Sequence, residues 1–89
     1  MGTRIFKKTP LRIEFGKIVR SKREDMSITQ ELLAEKSDLT TNYIGSIERG
    51  ERNVGLEVIY KLADALKTEP KNLLPDHSGG NTGIPEGGK

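Results

Sequence analysis

Between Thr41 and Asn53 the chain gathers side chains suited to recognition rather than to catalysis. Thr41, Asn42, Tyr43 and Ser46 are uncharged and polar, and Arg49 and Arg52 follow as cations. Hydroxyl and amide groups both donate and accept hydrogen bonds, as base edges require, and they do not repel phosphate as Asp or Glu would. Catalytic chemistry finds no such gathering. The single histidine, His77, lies in a stretch of Gly, Ser, Asn and Pro, and no Ser/His/Asp set or carboxylate pair falls on neighbouring ordered elements. Gly79-Gly80 and Gly87-Gly88 lack the strand and helix that a phosphate loop needs. Without cysteine there is neither a disulfide nor a thiolate metal site. No catalytic, cofactor-binding or metal-binding residue is expected, and the chain is not read as an enzyme.

These polar residues need a rigid support, and the stretch Thr29–Gly50 reads as two short helices joined by a tight turn. Thr29 is a good N-cap for the first, because its hydroxyl can accept an otherwise unpaired backbone N–H. Leu33 and Ala34 supply its apolar face, and Lys36 sits near the negative end of its dipole. Ser37 and Asp38 break the pattern, and Leu39 returns as a buried anchor. Thr40 caps the second helix, Thr41 to about Glu48, in which Ile44 and Ile47 lie three apart. Since those two isoleucines define the buried face, Tyr43 is expected to look outward, although a core aromatic is the plain alternative. Two short helices with a polar outer face on the second is the profile of a helix-turn-helix that enters a DNA major groove.

The rest of the chain builds a frame for this unit. Thr9-Pro10 is a helix start, with Thr as cap and Pro at the first position, where its missing N–H is harmless. Leu11, Phe15, Ile18 and Val19 then form one face of a helix reaching roughly Arg23. Gly50 is placed for a left-handed C-cap. Leu56, Ile59, Leu62, Ala63 and Leu66 mark a fourth helix, and Glu69-Pro70 starts a short fifth one closed by Leu73 and Leu74. Five helices with one apolar face each predict an all-α five-helix orthogonal bundle. Its expected core is Leu11, Phe15, Ile18, Val19, Leu33, Ala34, Leu39, Ile44, Ile47, Leu56, Ile59, Leu62, Ala63, Leu66 and Leu73.

Residues 9–74 are thus one domain, near the lower end of what folds without staples. Residues 1–8 read as a flexible basic arm, with Arg4-Ile5-Phe6 as a marginal strand. Residues 75–89 read as a disordered tail, too poor in apolar side chains to offset the entropy of ordering. The net charge is only +2, but the first 25 residues hold eight Lys or Arg against three acids. A basic end of that kind favours a polyanion partner, and a solvated tail is the plain alternative. No apolar run approaches the roughly 20 residues that cross a bilayer, and no signal-peptide core follows the early cations. A cytoplasmic protein without membrane attachment is expected.

The run TQELLAEKSDLTTNYIGSIERGER followed by LEVIYKLADALKTEPKNLL resembles the Xre-type, phage-repressor-like helix-turn-helix family. The resemblance spans about Leu11 to Leu74, and TTNYIGSIERGERN is most similar to the controller proteins of restriction–modification systems. It implies a lambda-repressor-like DNA-binding domain whose groove geometry is inherited from the family. On that pattern Thr41, Asn42 and Ser46 read bases. Gln30, Thr40, Tyr43, Arg49, Arg52 and Asn53 touch the backbone or an adjacent base. Arg23 and Glu48 match a buried ion pair of several relatives. Two departures stand out. Asp38 occupies a turn position that is usually Gly, and Gly45 inside the second motif helix suggests close approach to the helix before it.

The expected function is sequence-specific transcriptional regulation through double-stranded DNA. One recognition helix reads too few base pairs for operator specificity, so a homodimer on a near-palindromic operator is expected. Its pairing surface is expected at Leu66, Leu73 and Leu74. A phage-type repressor, or the antitoxin of a toxin–antitoxin pair with a toxin as partner, are alternatives within the class. A protein-bridging module that does not read bases is the alternative outside it.

Overall fold

The computed structural model describes residues 8–76. The arm and tail expected at 1–8 and 75–89, and the marginal strand at Arg4–Phe6, fall outside these apart from Lys8, Pro75 and Asp76. Four helices follow in order: α1 Pro10–Asp25, α2 Gln30–Ser37, α3 Thr41–Glu48 and α4 Leu56–Ala65. A single 3-10 turn, Pro70–Leu73, stands where a fifth helix was expected. Proline explains the difference. Pro70 starts the turn, but Pro75 drives the preceding Leu74 into extended backbone (φ −86°, ψ 134°), so there is no room for an α-helical turn to propagate.

Threonine starts three of the helices in one way. The hydroxyls of Thr9, Thr29 and Thr40 accept the backbone N–H of Arg12, Leu32 and Tyr43 at 3.0–3.1 Å. The four helices also end in one way. Ser27, Asp38, Gly50 and Lys67 each adopt a left-handed conformation, with φ of 60°, 60°, 81° and 56°. The next residue then donates back across the last turn: Ile28 to Arg23, Leu39 to Ala34, Glu51 to Ser46 and Thr68 to Ala63. This closure satisfies carbonyls that would otherwise be unpaired. It explains why Asp38 is tolerated in the turn of the motif. Ser27 and Lys67 carry the same backbone strain, roughly 1–2 kcal/mol each for a residue with a Cβ, with no warning from their residue types.

The core is formed by Phe15 and Val19 of α1, Leu33 and Ala34 of α2, and Ile44 and Ile47 of α3. Leu62, Ala63, Ala65, Leu66 and Leu73 complete it from the C-terminal side. Ile18, Leu39 and Ile59 are half-buried against it. Two expected core residues are exposed: Leu11 at 48% and Leu56 at 70%. Both lie in the first turn of their helices, and helical periodicity gives the direction of a face without saying how far along it the neighbours extend. Leu66 and Leu73 lie inside the subunit, Leu73 completely, and so cannot form a pairing surface. Of that expected trio only Leu74 is exposed.

α3 packs on both α1 and α2, α2 packs on α4, and the 3-10 turn packs on α4 and α1. The tightest crossing is at Gly16, in the middle of α1. A Cβ there would lie 2.3 Å from the Ile47 carbonyl oxygen and 2.8 Å from that of Glu48. Backbone cannot yield as a side-chain tip can, so only glycine lets α1 approach the end of α3. Gly45 is different: a Cβ there would meet the tips of Arg49 at 3.2 Å and Gln30 at 3.8 Å. The expected approach to α2 therefore involves a side chain of that helix and not its backbone. We predict that Gly16→Ala destabilises the fold by ~1–3 kcal/mol through overpacking. Gly55→Ala, with open space around the new methyl, should change stability by under about 1 kcal/mol. Urea unfolding of both variants checks this, and equal small effects would mean that α1 and α3 are not in backbone contact.

Candidate nucleic-acid interface

α3 is held by its one acidic residue. The Glu48 side chain is 4% exposed and that of Arg23 12%. Two parallel hydrogen bonds join them, Arg23 Nε to Glu48 Oε2 at 2.7 Å and Nη2 to Oε1 at 3.1 Å. Such a fork-to-fork pair is the strongest geometry available to a guanidinium and a carboxylate. Gln30 donates a third bond to Glu48 Oε1 at 2.9 Å, and Arg23 Nη1 donates to the Ile28 carbonyl at 2.9 Å. The hydrogen bonding to Glu48 holds the Arg23 guanidinium above its already high ordinary pKa, against the opposing effect of burial, with the charges of Glu48 and Glu24 adding to it. The end of α1, the start of α2 and the end of α3 are thereby locked together.

With Glu48 turned inward, the exposed part of α3 carries no carboxylate. Thr41 and Asn42 are exposed in its first turn, and Thr40 is exposed while its hydroxyl caps the helix. Arg23, Thr29, Gln30, Glu31 and Thr41 line a shallow depression onto which the first turns of α2 and α3 both open. Helix N-termini favour negative charge, and Glu31 is the acid in this depression that opposes it. Gln30 reaches it from α2 but also holds Glu48, so the residue expected on phosphate has a bracing bond as well.

Ser46 departs from expectation. It is 4% exposed, its hydroxyl donates to the Tyr43 carbonyl at 2.7 Å, and it accepts from Arg52 Nε at 3.0 Å. Its place in the sequence suggested an outward position, but α3 turns it towards the protein. A buried hydroxyl engaged on both sides does not reach a base edge; it positions Arg52. The Arg52 guanidinium carbon also lies 5.3 Å from the centre of the Tyr43 ring, within cation–π range. Tyr43 is half-buried against the core and not fully outward. Ser46, Tyr43 and Arg52 thus act as one unit. Asn53 is exposed beside it.

Arg49 has a partner that the residue types alone did not indicate. Its Nε and Nη2 donate to Glu51 at 2.9 and 3.2 Å. The reversal of the chain at Gly50 is what brings two residues of the same loop face to face, and the glycine C-cap was the available signal. The hydrogen bond to Glu51 raises the Arg49 pKa, and the same bond lowers that of Glu51 against the effect of desolvation, helped by the charges of Arg49, Lys8 and Arg52.

Among the described residues no group of His, Asp or Glu is arranged to hold a metal ion. No helix among them is long and apolar enough to cross a membrane.

Comparison with known proteins agrees with this geometry. Residues 19–73 match the helix-turn-helix family. The control protein C.BamHI of Bacillus amyloliquefaciens is 46% identical over 72 residues, covering 80% of this chain and 89% of that protein. The control protein C.SmaI of Serratia marcescens is 52% identical over 56 residues, covering 63% and 67%. Among solved structures, the restriction–modification controller protein C.AhdI from Aeromonas hydrophila superimposes with a TM-score of 0.68 at 45% identity, over 70% of this chain and 94% of that one. The chain belongs to the Xre-like helix-turn-helix family of DNA-binding transcriptional regulators, with restriction–modification controller proteins among its relatives.

Proposed function

We propose that this protein is the controller of a restriction–modification system, a cytoplasmic regulator that binds a near-palindromic operator as a homodimer. The observation that carries the reading is the inward turn of Glu48. It removes the only carboxylate of α3 from the surface that would face DNA and leaves Thr41 and Asn42 at the end that enters the groove. A bridging module would have no need for such an acid-free face. The controller role is supported by the relatives C.BamHI and C.SmaI, each named as a control protein. No observation favours a toxin partner.

Base reading falls to Thr41 and Asn42. Gln30, Thr40, Tyr43, Arg49, Arg52 and Asn53 position the protein on the backbone or an adjacent base, and Ser46 acts through Arg52. Residues 9–74 form the DNA-binding domain. The pairing surface moves to the apolar side chains left exposed: Leu56 and Tyr60, one turn apart on α4, together with Leu74. Pairing two copies through these residues would cover the three most exposed of the large apolar side chains in the described subunit.

Asn42 tests the reading most sharply, because its amide can pair bidentately with adenine. Asn42→Ala should lose ~1–3 kcal/mol on the operator and far less on random duplex. Binding-site selection at one fixed salt concentration should show the preference relaxed at one base pair per half-site. Identical preferences, with affinity lowered equally everywhere, would mean that α3 only positions the protein. For assembly, Tyr60→Glu should shift the protein to monomer in sedimentation while leaving its helical content unchanged, since Tyr60 is exposed within the subunit. An unchanged dimer would place the contact elsewhere.

A further inference from the structure

The Arg49–Glu51 pair is unlike the Arg23–Glu48 pair in one respect that bears on DNA. Both are two-bond guanidinium–carboxylate forks, but the first lies at the surface, at the C-terminal end of α3. The Arg49 side chain is 59% exposed, whereas that of Glu51 is 19% exposed. The carboxylate is the anchored partner, because the Glu51 backbone N–H donates to the Ser46 carbonyl at 3.0 Å in the closing turn of α3. The guanidinium is the partner able to leave.

A phosphate and a carboxylate compete for the same fork of N–H donors. We infer that Glu51 is an internal stand-in for DNA phosphate: it occupies the Arg49 fork in the free protein, and Arg49 grips the DNA backbone only by exchanging that carboxylate for a phosphate. The inference rests on the proposed DNA-facing role of α3. Exchange is easy because solvent-exposed ion pairs are weak. It is still opposed, because it strips Glu51 of its hydrogen-bonded partner beside a polyanion. Lys8 and Arg52 are the other cations whose charge acts on this carboxylate. Glu51 therefore holds down the sequence-independent part of binding, the part that decides how much protein is lost to the excess of non-operator DNA.

The experiment is a salt series of anisotropy titrations on a random-sequence duplex, with wild type, Glu51→Gln, Arg49→Ala and the double variant. Melting temperatures confirm that all four fold. Glu51→Gln is near-isosteric and retains the backbone bond to Ser46. Removing the competitor should tighten random-duplex binding about three- to tenfold near 0.1 M salt and steepen the salt slope by about 0.9, because the cation that Arg49 displaces from the DNA is then no longer offset by one taken up by a freed Glu51. In the Arg49→Ala background the same substitution should change affinity by less than about twofold, since only screened charge repulsion remains. Unchanged affinity and slope for Glu51→Gln would overturn the inference. So would an equal gain in both backgrounds, which would mean that Glu51 acts by charge alone and that Arg49 never meets phosphate. A wild-type protein that binds no duplex even at 50 mM salt would remove the DNA-binding reading itself, a different failure from wild-type binding that Glu51→Gln does not alter.

Discussion

A carboxylate buried inside a chain of this size must be matched or the fold fails, and Glu48 is matched three times. Two bonds come from Arg23 and one from Gln30. Arg23 in turn closes the α1–α2 connection through the Ile28 carbonyl. Desolvating two charges is expensive, and a buried ion pair is weak evidence for stability taken alone. Its contribution is geometric. Three elements meet at one bidentate fork, and a fork tolerates little rotation of α3 about its axis. The orientation of the helix that offers Thr41 and Asn42 is thereby set from its far end. A binding face held this way needs less ordering when DNA arrives.

The same constraint shapes the surface. Fixing Glu48 inward leaves the exposed face of α3 without negative charge, and Gly16 allows α1 close enough for Arg23 to reach it. Next to this rigid end the chain keeps a looser set of charges. Arg52 is fastened to Ser46 and lies over Tyr43, while the largely exposed Arg49 pairs with the carboxylate of Glu51. On the proposed DNA-facing role of α3, the cations beside it are graded along one short loop from the fastened Arg52 to the exposed Arg49. Such a grading would suit the proposed operator binding, in which fixed contacts define register and exchangeable ones limit indiscriminate adhesion.

Much of this was legible from residue types. Threonine before each of the first three helices and the spacing of Phe15, Val19, Leu33, Ile44, Ile47 and Leu62 mark α1 to α4 without tertiary information. What was not legible depends on what each element meets. Leu73 and Leu74 are the same residue side by side, and only the packed structure separates the core residue from the exposed one. Gly16 reads as a weak point in a helix until the carbonyls of Ile47 and Glu48 are seen against it. Ser46 has the right chemistry for base reading, but its direction is set by the rotation of α3, which the Glu48 fork imposes. Glu51 looks like a surface acid until the left-handed turn at Gly50 brings it onto Arg49.

The central claim is that one buried fork, and not hydrophobic packing alone, orients α3 against α1. Equilibrium urea unfolding of three proteins tests it most directly: wild type, Glu48→Leu, and Arg23→Met combined with Glu48→Leu. Removing Glu48 alone strands a guanidinium in the interior and should destabilise the fold by ~3 kcal/mol or more, whereas replacing both partners should cost much less, because no uncompensated charge remains. Small effects that simply add would place both side chains in solvent and contradict the account.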